Sequence, residues 1–232
     1  MNNASIFDIY YKDFPLAFRF GSYTALLRPM GMKVLVEQLY DSSRLTHQTY
    51  QRLQTTRRLI KSLIRCGVNS DEGGAVIAHM NQAHAHLPND NDAFRYVLCC
   101  FFLEPFRWNQ CFDKQLIPTE KKQKIIDFWC EIGKAMGITS LCDNERDWLV
   151  FQQQYEARYT GFSEQGHALA MQAINETPKL AFPLGARYLL RQYLLATMDQ
   201  DIRLMLRLPK AGLSSGVLVW AMTPLGWLAS PS

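Results

Sequence analysis

Apolar residues recur along this chain at three- and four-residue intervals, and strict apolar–polar alternation is almost absent. The first spacing puts side chains on one face of a helix, and the second would put them on one face of a strand. The pattern predicts a helix from Leu45 to Arg65 that ends near Gly67. Ser70, followed by Asp71 and Glu72, reads as an N-cap with acids in the first turn, opening a helix that Pro88 stops after Leu87. The polar "NDND" at 89–92 caps an aromatic-rich helix containing Tyr96 to Phe102. Thr119 and Glu120 open another, carrying Ile125, Ile126, Trp129, Ile132 and Met136 and closing at Gly137. Further helices are expected at Glu145–Thr160, Glu164–Glu176 and Leu184–Met198. The run "VLCCFFL", Val97 to Leu103, is apolar all round, so its helix is expected to run through the centre. The fold class read from this pattern is all-α.

Composition narrows the picture. A chain of 232 residues, 48% hydrophobic and 20% charged, has enough apolar material for a packed core, and no linker or repeat divides it, so a single domain over 1–232 is expected. The net charge of +4 is compatible with an anionic surface and argues for none. The densest basic run puts Arg57, Arg58, Lys61 and Arg65 on one helix face, opposite Ile60, Leu63 and Ile64. A solvated outer face is the simpler account of it, and with no helix-turn-helix pattern or stacking platform a nucleic-acid partner is not expected. Six cysteines show no CxxC pair or zinc-finger spacing, and no signal peptide is evident, so reduced thiols in a cytoplasm are expected. The segment from Ala211 to Ser232 carries no charge but contains Ser214, Ser215, Thr223, Pro224 and several glycines. That is poor material for a spanning helix, and a packed segment or a peripheral membrane contact fits it better.

Three of the five histidines, His79, His84 and His86, fall within "AVIAHMNQAHAHLPND" at 75–90. On the expected helix, Val76, Ile77, Met80 and Leu87 form the apolar stripe, and positions 83 and 84 complete it. His84 is therefore expected to face inward with Ala83 beside it, while His79 and His86 share the opposite face with Gln82. His84 and His86 stand about 200° apart around the helix, too far to grip one ion together. One inward imidazole remains, either a satisfied core histidine or a ligand. On the preceding helix Arg52 and Thr56 are i, i+4 neighbours, and Thr56 lies in the stripe of Leu53, Ile60, Leu63 and Ile64. An inward Arg requires a polar or anionic partner, unless it snorkels to the surface or pairs with a carboxylate.

Arg52, Thr56 and "MNQAHAHL" together resemble the rubber oxygenase (latex clearing protein) and MpaB-type oxygenase family, in which an R-x-x-x-T helix precedes an M-N-x-x-H helix. "NDNDAFRYVLCCFFLEPFRW" is similar to the family's Asn-x-Asp-Phe-x-Tyr-Val-Leu stretch ending in Glu-Pro and Trp. "TEKKQKIIDFWCEIGKAMGI" is similar to its T-x-x-E, F-W, G-x-x-M-G-I stretch, and "DFPLAFRFGSYTALLRPMGMKVLVEQL" resembles its opening helices. Two positions depart from the pattern: Thr55 stands where an Asp often precedes the threonine, and "DKQL" near Asp113 replaces a Gly-Trp-Arg.

The resemblance implies a globin-like all-α protein with haem b, in which His84 ligates the iron and Arg52 and Thr56 lie on its other side, where O2 and substrate meet. It implies an oxygenase or oxidase acting on a hydrophobic small molecule, either an isoprenoid side chain or an aromatic biosynthetic intermediate. A neutral imidazole projecting from a helix into an apolar pocket meets the needs of an iron ligand, and an Arg or Thr supplies hydrogen bonds to dioxygen or to a developing oxyanion. The competing reading is a non-catalytic haem carrier or sensor, or a family member without its cofactor.

Overall fold

The computed structural model describes residues 5–41, 45–87, 90–181 and 184–212. A short α1 (Ile6–Asp8) continues as a π-helical turn (Ile9–Asp13) into α2 (Pro15–Leu27), and a 3-10 turn (Arg28–Gly31) leads to α3 (Lys33–Asp41). Then follow α4 (Leu45–Cys66), α5 (Asp71–His84), α6 (Asn91–Phe112), α7 (Thr119–Ala135), α8 (Glu145–Tyr159), α9 (Glu164–Ala181), α10 (Leu184–Thr197) and α11 (Gln200–Met205). Among the described residues the only extended pairing is an isolated bridge between Met32 and Thr160. The all-α expectation is met.

The local signals act largely as expected. Gly67 ends α4 and Gly137 follows α7, both at positive φ (79° and 80°), where a side chain is disfavoured. Ser70 caps α5 by accepting from the Gly73 N–H at 3.0 Å, and Asp90 caps α6 by accepting from Ala93 N–H at 3.1 Å. Two boundaries differ. α5 ends at His84 rather than Leu87, and the Leu87 N–H closes a last turn onto the His84 carbonyl at 2.9 Å. α9 runs past Glu176 to Ala181 and contains Pro178.

α6 is the central element, packed by α2, α7 and α8. Leu98, Cys99, Cys100, Phe102 and Leu103 are buried, and Val97 and Phe101 nearly so, as a helix apolar on all sides requires. A second apolar cluster joins Leu27, Met30 and Val36 to α9 and α10 through Leu169, Ile174 and Leu195. All six cysteines are free thiols.

The α2–α6 seam is set by one glycine. A Cβ on Gly21 would stand 2.3 Å from Pro105 Cα and 2.5 Å from Pro105 N, both backbone atoms that cannot rotate away. Hydrogen at this position lets the two helices touch along their backbones. Gly21→Ala is therefore expected to force the seam apart and lower unfolding stability by about 2–3 kcal/mol or more, measured by chemical denaturation. The same substitution at Gly74, where an added Cβ meets nothing within 4 Å, should leave stability unchanged or raise it.

Candidate functional site

α4 and α5 form a hairpin around Gly67. A Cβ on Gly73 would meet the Gly67 carbonyl oxygen at 2.1 Å, so the start of α5 lies directly on the turn. Across this closed end Glu72 accepts from Arg65 at 2.8 Å and from the Ser62 hydroxyl. At ~1.5 Å per residue, Glu72 to His84 is about 18 Å of helix and Ser62 to Arg52 about 15 Å. Arg52 on α4 and His84 on α5 therefore both stand well away from the closed end of the hairpin, with Thr56 one turn nearer to it.

His84 is the last residue of α5 and is half-buried, with its Nδ1 inside the protein. The ring meets the edge of Phe94 at a centroid distance of 5.7 Å and 60°. Ile77 is buried and Val76 and Met80 are half-buried against the same core, whereas His79, Gln82 and His86 are exposed. The inward face read from the sequence is confirmed at His84 and corrected at Ala83, which is exposed. α5 narrows its buried stripe as it approaches its end, and a methyl beside His84 faces outward.

On α4, Leu53, Leu63 and Ile64 are buried and Ile60 and Thr56 half-buried, while Arg57, Arg58, Lys61 and Arg65 are exposed, as a solvated basic face requires. The side chain of Arg52 lies outside the described residues, so its inward direction rests on its helical position alone.

Two asparagines brace the His84 end. Asn81 donates to the Ala135 carbonyl at 3.4 Å. Asn91, first residue of α6, donates to the Thr139 carbonyl at 3.2 Å and accepts from the Thr139 N–H at 2.8 Å. An imidazole on an apolar-backed helix end, with the edge of Phe94 against it, fits the donor chemistry of a haem ligand. Two surface grooves, of about 550 and 280 Å³, flank α8 instead and are lined by residues such as Lys122, Glu145, Leu149, Phe151 and Tyr159.

A second polar centre escaped the sequence reading. Arg28, 7% exposed, ends α2 beneath α6. Its Nε and Nη2 donate to the two oxygens of Glu156 at 2.6 and 2.9 Å, a bidentate grip. Its Nη1 reaches Glu104 Oε1 at 3.1 Å and Asp199 Oδ2 at 3.3 Å. Arg107 shares Glu104 and donates to Gln152 at 3.1 Å, and the Tyr96 hydroxyl donates to Glu156 at 2.9 Å. Burial works against the Arg28 charge, but Glu156 outweighs it and holds the guanidinium firmly protonated. Burial, then the neighbouring Arg28, pushes Arg107 below its ordinary value. Burial also raises the Tyr96 phenol, which stays a neutral donor. One sequence signal marked the cluster: Glu104 interrupts the run "VLCCFFLEPF", and a carboxylate in an all-buried helix must find a cation.

Residues 10–227 match the family described as "ER-bound oxygenase mpaB/B'/Rubber oxygenase, catalytic domain". The chain is also similar to the "ER-bound oxygenase mpaB'" of Penicillium brevicompactum, 24% identical over 198 residues, which cover 76% of this chain and 47% of that protein. The chain therefore spans about half the length of that relative. No solved structure matches it.

The buried cluster sets two expectations. Arg28→Ala leaves Glu156 without its cation and Glu104 with Arg107 alone, and should cost about 3–5 kcal/mol, read by denaturant unfolding. Burial raises the Asp199 carboxyl, but the Asp201 amide, Arg28 and Arg107 more than reverse this, and its pKa lies below the ordinary 3.8. A depressed folded-state pKa gives stability that is present above the unfolded value and lost as pH falls through the folded one. Asp199→Asn should therefore flatten the stability–pH curve on the acid side of about pH 4; an unchanged acid limb would show that Asp199 carries none of it.

Proposed function

Because the chain belongs to the ER-bound oxygenase mpaB/B'/rubber oxygenase catalytic-domain family, we propose that it is a haem-dependent oxygenase, an oxidoreductase that uses O2 on an apolar small molecule. In this reading a single globin-like domain spans residues 1–232, His84 holds the iron of haem b, and Arg52 and Thr56 serve the opposite side. The observation that carries it is the half-buried His84 ring with its inward Nδ1 at the braced end of α5, on a hairpin whose other arm bears Arg52 and Thr56.

Bound there, the haem supplies the redox chemistry that activates O2. The residues of the chain do the rest. The edge of the Phe94 ring packs against the imidazole and helps set its orientation. Asn81 and Asn91 fix the helix ends from which the ring projects. The Arg52 guanidinium is a permanent cation with planar N–H donors, suited to oxygen that gains negative charge during turnover. The Thr56 hydroxyl, half-buried and one turn away, can orient a polar atom of substrate or oxygen.

The proposed substrate, an isoprenoid side chain or an aromatic ring, is the one the sequence resemblance implies; the relative's name as an oxygenase supports O2 and an organic molecule as the reactants. Among the described residues no helix is long and apolar enough to cross a membrane, and the relative is named ER-bound. Peripheral membrane contact through the uncharged segment from Ala211 onward fits both facts; positions 213–232 of that segment lie outside the described residues.

Three substitutions test the reading. His84→Ala should abolish the Soret band while helical content persists, and His79→Ala and His86→Ala should keep it. Arg52→Ala should leave haem content intact and lower turnover by roughly 10²–10³, with Thr56→Val milder. A native Soret band in His84→Ala would remove His84 as ligand, and unchanged turnover in Arg52→Ala would return that residue to the surface.

A further inference from the structure

Cys130 on α7 and Cys142 in the loop joining α7 to α8 are two thiols that neither the Arg28 cluster nor the His84 hairpin uses. Cys130, on α7, is 9% exposed, and its Sγ lies 3.5 Å from the carbonyl oxygen of Cys142. A carbonyl oxygen is about 2.4 Å from its own Cα, so the Cys142 Cα is within about 6 Å of the Cys130 sulfur. Closing a disulfide then requires both side chains to turn towards each other, with the two Cα atoms within about 7 Å. Cys142 is half-buried, and its Sγ sits 3.8 Å from Nη2 of Arg95. Arg95 is itself fixed, its guanidinium 3.9 Å from the Phe151 ring centroid and bonded to Asp92 at 2.8 Å, so rotation of Cys142 forfeits one weak sulfur contact and little else.

We propose that Cys142 and Cys130 form a peroxide-responsive pair, in which Cys142 is the entering thiol and Cys130 the resolving one. Cys142 is the more accessible of the two and has the cation beside it, as an entering thiol needs. Its thiolate attacks a peroxide oxygen; the S–O bond forms, the O–O bond breaks, and the departing hydroxide takes a proton to become water. The Cys130 sulfur then attacks the Cys142 sulfur; the S–S bond forms, the S–O bond breaks, and a second water leaves with the Cys130 proton. Two thiols are oxidised and one hydrogen peroxide is reduced to two waters. Burial pushes the Cys130 thiol up to about 11 and also raises Cys142 against the opposing pull of Arg95. The reactive thiolate is therefore scarcer than in an ordinary exposed thiol, and the pair closes slowly, in response to sustained rather than trace peroxide.

The bond staples a loop with backbone consequences. Between the two cysteines lie Gly137 and Ser140, both at positive φ, and Thr139, which holds Asn91 at the start of α6. Fixing the loop fixes the partner of Asn91, so oxidation tightens the brace beside His84.

The test is peptide mapping of the purified full chain after hydrogen peroxide, with free thiols alkylated before digestion. Lys134 is a trypsin site between the two cysteines, so a closed pair joins peptides 125–134 and 135–146. The expected result is a loss of about 2 Da in the cross-linked pair, reversed by dithiothreitol, together with a higher thermal midpoint for the oxidised protein. In Cys130→Ser, Cys142 should gain oxygen without a cross-link, and in Cys142→Ser, Cys130 should stay reduced. Arg95→Met should slow closure severalfold while leaving the product the same. Absence of the 125–134/135–146 product at millimolar peroxide, or cross-links confined to Cys66 and Cys111, would overturn the proposal.

Discussion

A guanidinium buried at the end of α2 imposes the tightest constraint on this fold. Arg28 is drawn out of water by the same chain reversal that takes α2 into α3, and three carboxylates from α6, α8 and the turn before α11 converge on it. Two of the three, Glu104 and Glu156, belong to helices that also share the apolar core, so the ionic contact and the hydrophobic seam have to be satisfied in one register. Gly21 makes that register possible by admitting the Pro105 backbone two turns earlier on α2. The ion cluster is thus less a source of net stability than a condition of specificity, because a slipped α2 would strand several charges in a dry interior.

The His84 region is built on different physics. Its order comes from neutral amide contacts, Asn81 to the end of α7 and Asn91 to Thr139, and from apolar packing of Phe94 and Met80. The two centres divide the labour of the fold: one specifies how helices assemble, and the other presents a single imidazole at a helix end.

The sequence revealed the second centre and hid most of the first. His84 was legible because helical periodicity is local, and seven residues of α5 suffice to separate its face from that of His79 and His86. Ala83 was misplaced because a small apolar residue satisfies either side of a helix, and position alone assigned it inward. The helix end was placed at Leu87 because Pro88 is a visible stop, whereas the actual boundary at His84 is made by a closing turn that leaves no residue-type signature. Arg28 was invisible for a different reason. Its partners lie 76, 128 and 171 positions away, and no spacing rule connects residues at such separation. Glu104 alone gave a hint, as a charge where the pattern allowed none.

The contact between Gly73 and the Gly67 carbonyl has a consequence in leverage. The α4–α5 hairpin is pinned at its turn, and His84 lies at the far end of one arm with Arg52 well along the other. An angular error of about 5° at the turn moves a position some 18 Å along the helix by about 1.5 Å, enough to separate groups that must meet at hydrogen-bonding distance. A turn closed by backbone touching backbone tolerates far less angular play than one filled with side chains, which can change rotamer. The smallest residues in the hairpin therefore act as its goniometer, setting from a distance the alignment of side chains they never touch.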